Sequence, residues 1–479
     1  MNHTNSYAPF GEDYGPGLMG PFAPIFDESV WEDLEVIGKI PEDINGVYLR
    51  NGPNTRFAPK GRYHPFDGDG MLHSAHFENG RVVYRNRWVR TDGWELEDEA
   101  GQAVLYGIRE TLKGRDDKPL KDTSNTDVIG HGGVALASWY MSGEAYQIDP
   151  VTLETLGKAP YAKGLGNGFS AHPKVDEQTE ELMYFDYWNE PPYMSYGVVA
   201  ADGTVLKQVP IDLPGPRLPH DMAITEHYSI LHDLPLLHDE EALRHGRHKL
   251  EFHPEMPTRL GVIPRYGDSL SIKWFEFTPC FIYHTINAWE EGDEVVMVGC
   301  RYMPALDEHG EIDAVRTARD IAQLVMRARL WRWRMNLKTG ESHEEPLNEE
   351  LNVEFPSINA RRTGRKTRWA YLVDHHPQIL RWTGIRKFDT DTGECVAAFS
   401  DGAEDCWYSE PWFAEADAAV NEDDGYVVVF CWNERTEQQQ LQVFDARDIN
   451  SGPVARIIIP RMIPSGFHAC WMSSRRLKK

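Results

Sequence analysis

The feature that most constrains this chain is the recurrence, along nearly its whole length, of short β-rich runs closed by polar turns of one kind. Asp149-Pro150-Val151-Thr152-Leu153-Glu154, Asp176-Glu177-Gln178-Thr179-Glu180, Ala201-Asp202-Gly203-Thr204, Asn336-Leu337-Lys338-Thr339-Gly340 and Asp389-Thr390-Asp391-Thr392-Gly393-Glu394 are such turns. They are flanked by apolar runs such as Val295 to Val298, Trp369 to Val373 and Tyr426 to Cys431. Asp, Asn and Gly favour turns because they bond their own backbone or tolerate positive φ, and β-branched and aromatic residues suit a pleated, half-buried surface. Many short strands with one turn chemistry imply a sandwich, a barrel or a propeller. The spacing is too irregular for a simple repeat family.

Four histidines decide among these. His172 (Phe169-Ser170-Ala171-His172-Pro173-Lys174), His220 (Leu218-Pro219-His220-Asp221-Met222), His284 (Phe281-Ile282-Tyr283-His284) and His468 (Gly466-Phe467-His468-Ala469) each stand at or near the end of a strand-like run. A propeller lets inner strands of separate blades present side chains to one point on an axis. The expected fold is therefore all-β: a β-propeller with cap insertions over one face. Two stretches break the strand pattern. Residues 233–256 are polar and histidine-rich, and 313–329 carry apolar residues at helical spacing, predicting an amphipathic helix. Both are assigned to a lid. Residues 1–39 are taken as an N-terminal extension and 40–479 as a single propeller domain.

At 479 residues the chain is long, but its 41% hydrophobic and 26% charged residues describe an ordinary core and surface. A net charge of −26 argues against a nucleic-acid partner, since no basic surplus exists to displace counterions. The six cysteines show no CxxC spacing and read as reduced core thiols. With no apolar leader in Met1 to Gly20 and no transmembrane run, a cytoplasmic protein is expected.

Neutral imidazoles suit iron, zinc or copper rather than magnesium or calcium. The four histidines form no HxH or HExxH pair, so a metal site competes with ordinary surface and turn roles. His227, His232, His238, His245, His248 and His253 read as solvated residues of the polar excursion. A ligating imidazole needs its second nitrogen held. Glu354 and Glu410 stand in apolar surroundings and are either such holders or buried ion-pair partners. Asp67 and Asp69 lack the other oxygen ligands of a calcium loop and read as a tight turn. No GxSxG elbow, phosphate loop or dinucleotide fingerprint is present.

These residues resemble the carotenoid cleavage oxygenases, which include apocarotenoid-cleaving enzymes and lignostilbene dioxygenases. The resemblance spans about Ile40 to Trp471. It rests on Arg50-Asn51-Gly52-Pro53-Asn54, Phe66-Asp67-Gly68-Asp69-Gly70-Met71-Leu72-His73, Ala171-His172-Pro173-Lys174, His220-Asp221, His284 with Asn287-Ala288-Trp289-Glu290, and Gly466-Phe467-His468. It implies a seven-bladed propeller with a helical cap. It also implies Fe(2+) held on the axis by His172, His220, His284 and His468, with Glu354 and Glu410 holding ligands. The implied reaction is cleavage of a C=C bond of a small apolar alkene by O2, giving two carbonyl products without an external reductant. No obligate protein partner is implied, and contact with a membrane surface is left open.

By motif, Thr126 matches a threonine near the vacant coordination position, and Phe57 a substrate-contacting aromatic. Both also suit plain packing. A third holding glutamate would fall at Tyr140, so either Glu144 takes that role or a phenol does. Stilbene-cleaving members grip the substrate phenol with a lysine and a tyrosine, where this chain has Trp139 and Arg109. That favours a carotenoid or apocarotenoid over a stilbenoid. The reading from another class is a non-catalytic propeller that binds an apolar ligand or a protein.

Overall fold

A computed structural model describes residues 8–110, 120–161 and 168–477. Seven sheets of four or more strands lie around one axis, with one extra two-stranded hairpin. Six follow the chain as blades 1 to 6, whose first strands are Asp127–His131, Lys174–Asp176, Ala223–Ile224, Phe281–Glu291, Val353–Ser357 and, for blade 6, the pair Cys406–Tyr408 and Trp412–Glu415. Blade 7 closes the ring. The C-terminal strand Ala469–Ser473 pairs antiparallel with Gly46–Pro53, Arg50 opposite Ala469, followed outward by Gly70–Glu78 and Arg81–Trp88. Joining the two ends of the chain in one sheet leaves the ring without an open inner edge.

The turns form as their residues dictate. Phe281–Glu291 returns as Glu294–Tyr302 with Glu291 opposite Glu294, leaving Gly292 at φ +64 in a two-residue turn. The inner strands are buried on both faces, and Val295, Val296, Met297 and Val298 are wholly enclosed between blades. Such strands read as continuous apolar runs rather than alternating ones.

The stretch assigned to an N-terminal extension contributes to the sheets. Ser29–Trp31 adds an outer strand to blade 7, and Val36–Gly38 one to blade 6. The excursion at 233–256 is a hairpin, Leu236–His238 against Leu250–Phe252, enclosing the short helix Glu240–Arg244. In 313–329 the helix is shorter than its apolar spacing predicts. It runs Ala314–Ala322, capped by the Asp313 carboxylate on Arg316 N–H, stops where Leu324 takes φ +58, and gives way to a strand at Ala328. Helix and hairpin pack together over one end of the axis.

The expectation that the polar excursion leaves its histidines solvated fails for His232 and His238, which are buried. His232 lies on the blade 3 strand Tyr228–Asp233, opposite Leu260. Asp67 and Asp69 are structural: Asp67 accepts from the N–H groups of His64 and Ile108, and Asp69 pairs with buried Lys121.

Candidate metal centre

The four histidines stand on four different blades. His172 precedes the inner strand of blade 2, His220 that of blade 3, and His468 that of blade 7, while His284 lies within the inner strand of blade 4. All four are buried, and one ring nitrogen from each lies within 4.8 Å of the others. Their ring centroids are 4.5 Å apart for His172 and His468, 4.7 Å for His284 and His468, and 5.2 Å for His220 and His284.

The backbone is bent to achieve this. The pairing register shifts on both sides of Thr285, a bulge that re-aims the side chain of His284. A second shift lies between Glu354 and Ser357. His172 takes φ +67 and Phe355 φ +51. Such conformations cost a non-glycine residue roughly 1–3 kcal/mol and persist where the surroundings enforce them. At His172 the enforcement is visible: its N–H donates to the Asp127 carboxylate at 2.9 Å.

Two imidazoles are held by carboxylates. His284 Nδ1 lies 2.5 Å from Glu354 Oε2 and His468 Nδ1 3.2 Å from Glu410 Oε1. Glu354 Oε2 also accepts the Phe355 N–H, and Glu410 Oε2 the Ala469 N–H. Burial pushes the His172, His220 and His284 pKa values well below the usual imidazole range and that of Glu354 well above the usual carboxylate range. At His468 burial pulls the same way and is the largest single influence, but the carboxylates of Glu410, Asp127 and Asp221 together outweigh it, so the net shift is upward. Nε2 of both His172 and His284 is sealed from water with no hydrogen-bond partner. Two buried acceptors without partners, aimed at the same small space as two more imidazoles, fit a metal ion of the borderline class.

The centre separates two cavities. Above it, a cavity of about 980 Å³ runs from His220 to the lid. Its walls include Phe66, Leu218, Phe281 and Tyr283 from the propeller, Leu250 and Phe252 from the hairpin, and Ala318 and Ile321 from the helix. The Tyr283 hydroxyl donates to the Ile321 carbonyl at 2.9 Å, tying the lid helix to the residue beside His284. Below it, a space of about 120 Å³ is lined by His172, His284 and His468 together with Asp127, Lys174 and Asp221.

The remaining expected site residues divide. Arg109 and Tyr140 line the large cavity, Tyr140 with its ring stacked 4.0 Å from Phe66. Arg109 donates to the Tyr63 carbonyl. Thr126 adjoins the centre through its carbonyl, which accepts the His468 N–H, while its hydroxyl donates to Asn125 and accepts from Tyr140 N–H. Trp139 is off the cavity wall: its indole N–H donates to the Phe66 carbonyl at 2.9 Å, so it braces a wall residue from behind. Phe57 also lies off the wall, beneath the Arg56 guanidinium. Glu144, the alternative to Tyr140 as a third holder, stands away from the histidines. Its carboxylate is partly exposed and lies 3.5 Å from Lys158 on the outer strand of blade 1, with no bond to a histidine. Among the described residues no carboxylate bonds the ring of His172 or His220. Asp127, Lys174 and Asp221 were missed, although the Lys after His172-Pro173 and the Asp after His220 are adjacent to ligands in sequence.

The profile described as retinal pigment epithelial membrane protein matches residues 22–473. The chain belongs to this family, the carotenoid cleavage oxygenases. A carotenoid 9,10(9',10')-cleavage dioxygenase of Crocus sativus is 36% identical over 96% of this chain and 90% of its own length. A carotenoid cleavage oxygenase of Mycobacterium tuberculosis is 30% identical over 96% and 98%. Among solved structures, the lignostilbene dioxygenase of Pseudomonas brassicacearum superposes with a TM-score of 0.84 at 29% identity, covering 96% of this chain and 99% of that one. The cobalt-substituted Synechocystis oxygenase superposes at 0.81 with 26% identity, covering 94% and 97%. Membership of this family agrees with the seven blades, the cap and the four-histidine centre described above.

Proposed function

We propose that the chain is an iron(II) dioxygenase that cleaves a C=C bond of a carotenoid or apocarotenoid with O2 to give two carbonyl products. The observation that carries this reading is the cluster of four buried imidazoles, two of them held by carboxylates, with His220 on the wall of a large, mainly apolar cavity. Carotenoid-cleaving relatives matched over nearly their whole length support it.

His172, His220, His284 and His468 would hold the ion through the nitrogens that converge on the axis. Being neutral, they leave the ion its full charge. Iron(II), when bound, supplies the one-electron chemistry that lets O2 react with an alkene. The chain does the rest. Glu354 and Glu410 keep Nδ1 of His284 and His468 protonated, so that Nε2 faces the ion. Phe281, Tyr283, Leu218 and the lid side chains present apolar surface to a polyene and exclude water, which protects reactive species from side reactions. At 980 Å³ the cavity lies near the top of the ~300–1,000 Å³ span of small-molecule sites, as a long substrate requires. Both oxygen atoms end in the two carbonyls, so no external reductant is needed. The six cysteines carry no disulfide, which agrees with a cytosolic setting.

A stilbenoid is the second reading, favoured by the superposition on a lignostilbene dioxygenase. The test is aerobic turnover of the Fe(II)-loaded protein on an apocarotenal and a hydroxystilbene side by side, with the aldehydes identified by mass. Cleavage of the apocarotenal is expected. Cleavage of the hydroxystilbene alone would replace the substrate, and cleavage of neither would overturn the reading.

A further inference from the structure

Each ligand-bearing strand is tied to a neighbouring blade by a polar contact close to its histidine. Blade 1 reaches blade 2 through Asp127 and the His172 N–H, blade 5 reaches blade 4 through Glu354 and His284, and blade 6 reaches blade 7 through Glu410 and His468. The contacts joining blades 2, 3 and 4 converge on a single carboxylate and, like the Asp127 contact and unlike those of Glu354 and Glu410, touch no imidazole. The Asp221 carboxylate, 1% exposed, follows His220 directly. Its Oδ1 lies 2.7 Å from Lys174 Nζ, two residues after His172. Its Oδ2 accepts the Thr285 N–H at 2.7 Å and lies 2.8 Å from the Thr285 hydroxyl, directly after His284. That hydroxyl also lies 3.0 Å from the Met222 carbonyl. One carboxylate thus joins the residues flanking three of the four ligands.

We propose that Lys174, Asp221 and Thr285 form a positioning clamp that sets His172, His220 and His284 in ligating register, acting through the backbone where His220 has no carboxylate on its ring. Three observations favour a device over incidental packing. A buried carboxylate is costly unless paired and bonded, and here each oxygen is used toward a different blade. Thr285 is the residue between the two register shifts that bulge the strand at His284, so the clamp grips the point where the strand is bent. Lys174 and Asp221 line the small space under the imidazoles together with three of them, within reach of the ligand backbone and clear of the substrate cavity. Pinning the strands costs nothing at the moment of binding, because the order is already in the fold.

The inference rests on the four-histidine metal reading, and cobalt(II) tests both without turnover. Its affinity is measured by chelator competition and its coordination by d–d absorption at full occupancy, alongside the melting temperature of the metal-free protein. Wild type should bind about one equivalent. D221N should bind about 10–100-fold more weakly, the usual effect of removing an outer hydrogen-bonding partner, and K174M should weaken binding in the same direction. T285V keeps the N–H bond and loses the hydroxyl, so it should weaken binding several-fold and shift the absorption bands, while T285S should restore both. Should D221N fail to fold, the T285V and T285S pair decides. Unchanged affinity and bands in T285V overturn the clamp, whatever happens to its melting temperature. Absence of stoichiometric cobalt binding by wild type overturns the metal reading itself, and the clamp with it.

Discussion

Replacing Glu354 by glutamine should move two properties of the protein in different directions. Glu354 is fully buried, 2.5 Å from His284 Nδ1, with its other oxygen unpartnered. Burial raises its pKa well above the carboxylate range, so in the metal-free protein the folded state keeps a proton that the unfolded chain gives up. The sign follows: the wild type loses stability as pH rises from the unfolded value of about 4.5 toward the folded one, and glutamine removes that loss. A metal on Nε2 wants the opposite charge state, an ionised carboxylate facing Nδ1–H, so binding expels the Glu354 proton and wild-type affinity should climb with pH. Glutamine presents a neutral carbonyl and one oxygen, while the present Oε2 serves both His284 and the Phe355 N–H. Loss of such a holder typically costs 10–100-fold in affinity, or about 1.4–2.7 kcal/mol at 1.36 kcal/mol per decade. The assay is Fe(II) affinity by anaerobic chelator competition from pH 6 to 8, with urea melts of the metal-free protein. We expect E354Q to bind about tenfold more weakly at pH 7, with a flatter pH dependence, and to be no less stable than wild type without metal. Wild-type affinity with the wild-type pH slope in E354Q would refute the reasoning.

His284→Ala should abolish stoichiometric iron binding and turnover together, and full turnover in that variant, measured by product mass, would remove His284 from the ligand set. Tyr283→Phe frees the lid helix from its bond to the propeller, so KM for a polyene should rise several-fold with kcat little changed, as steady-state kinetics would show. Lys121→Met leaves the buried Asp69 and Glu97 carboxylates facing each other without their shared cation, and urea melts should show a loss of ~3–5 kcal/mol, the usual cost of stranding a buried charge. Phe281→Asp puts an unpaired charge in the cavity wall near His220, and should raise KM at least tenfold while leaving metal affinity, read with cobalt, within about twofold.

Much of the centre was legible because its signals are local. A histidine at a strand end, an acidic residue within an apolar run and a polar turn are visible in a few residues each, and they singled out the four histidines with Glu354 and Glu410; which glutamate meets which histidine came only with the structure. What stayed hidden depended on register or on distant pairing. Ser29–Trp31 and Val36–Gly38 are only three residues long, and their place on sheet edges is set by partners at Tyr84 to Asn86 and Ala455 to Ile457. His238 lies in a polar stretch, and only the hairpin with Leu250–Phe252 buries it. Where Glu144 points was equally hidden: no local pattern shows that its side chain runs outward to Lys158. Asp221 was read as part of a motif and never as a group with its own work, since its partners Lys174 and Thr285 lie on other blades.

The closing pair of strands also bears on when the enzyme becomes competent during its own synthesis. His468 is made about 300 residues after His172, and its strand finds Gly46–Pro53 only then. At ~5–20 residues per second a nascent chain would hold at most three of its four imidazoles for ~15–60 s. Iron uptake at full strength therefore waits for the last blade, and a chain cut short before His468 would be an open ring with three of the four histidines.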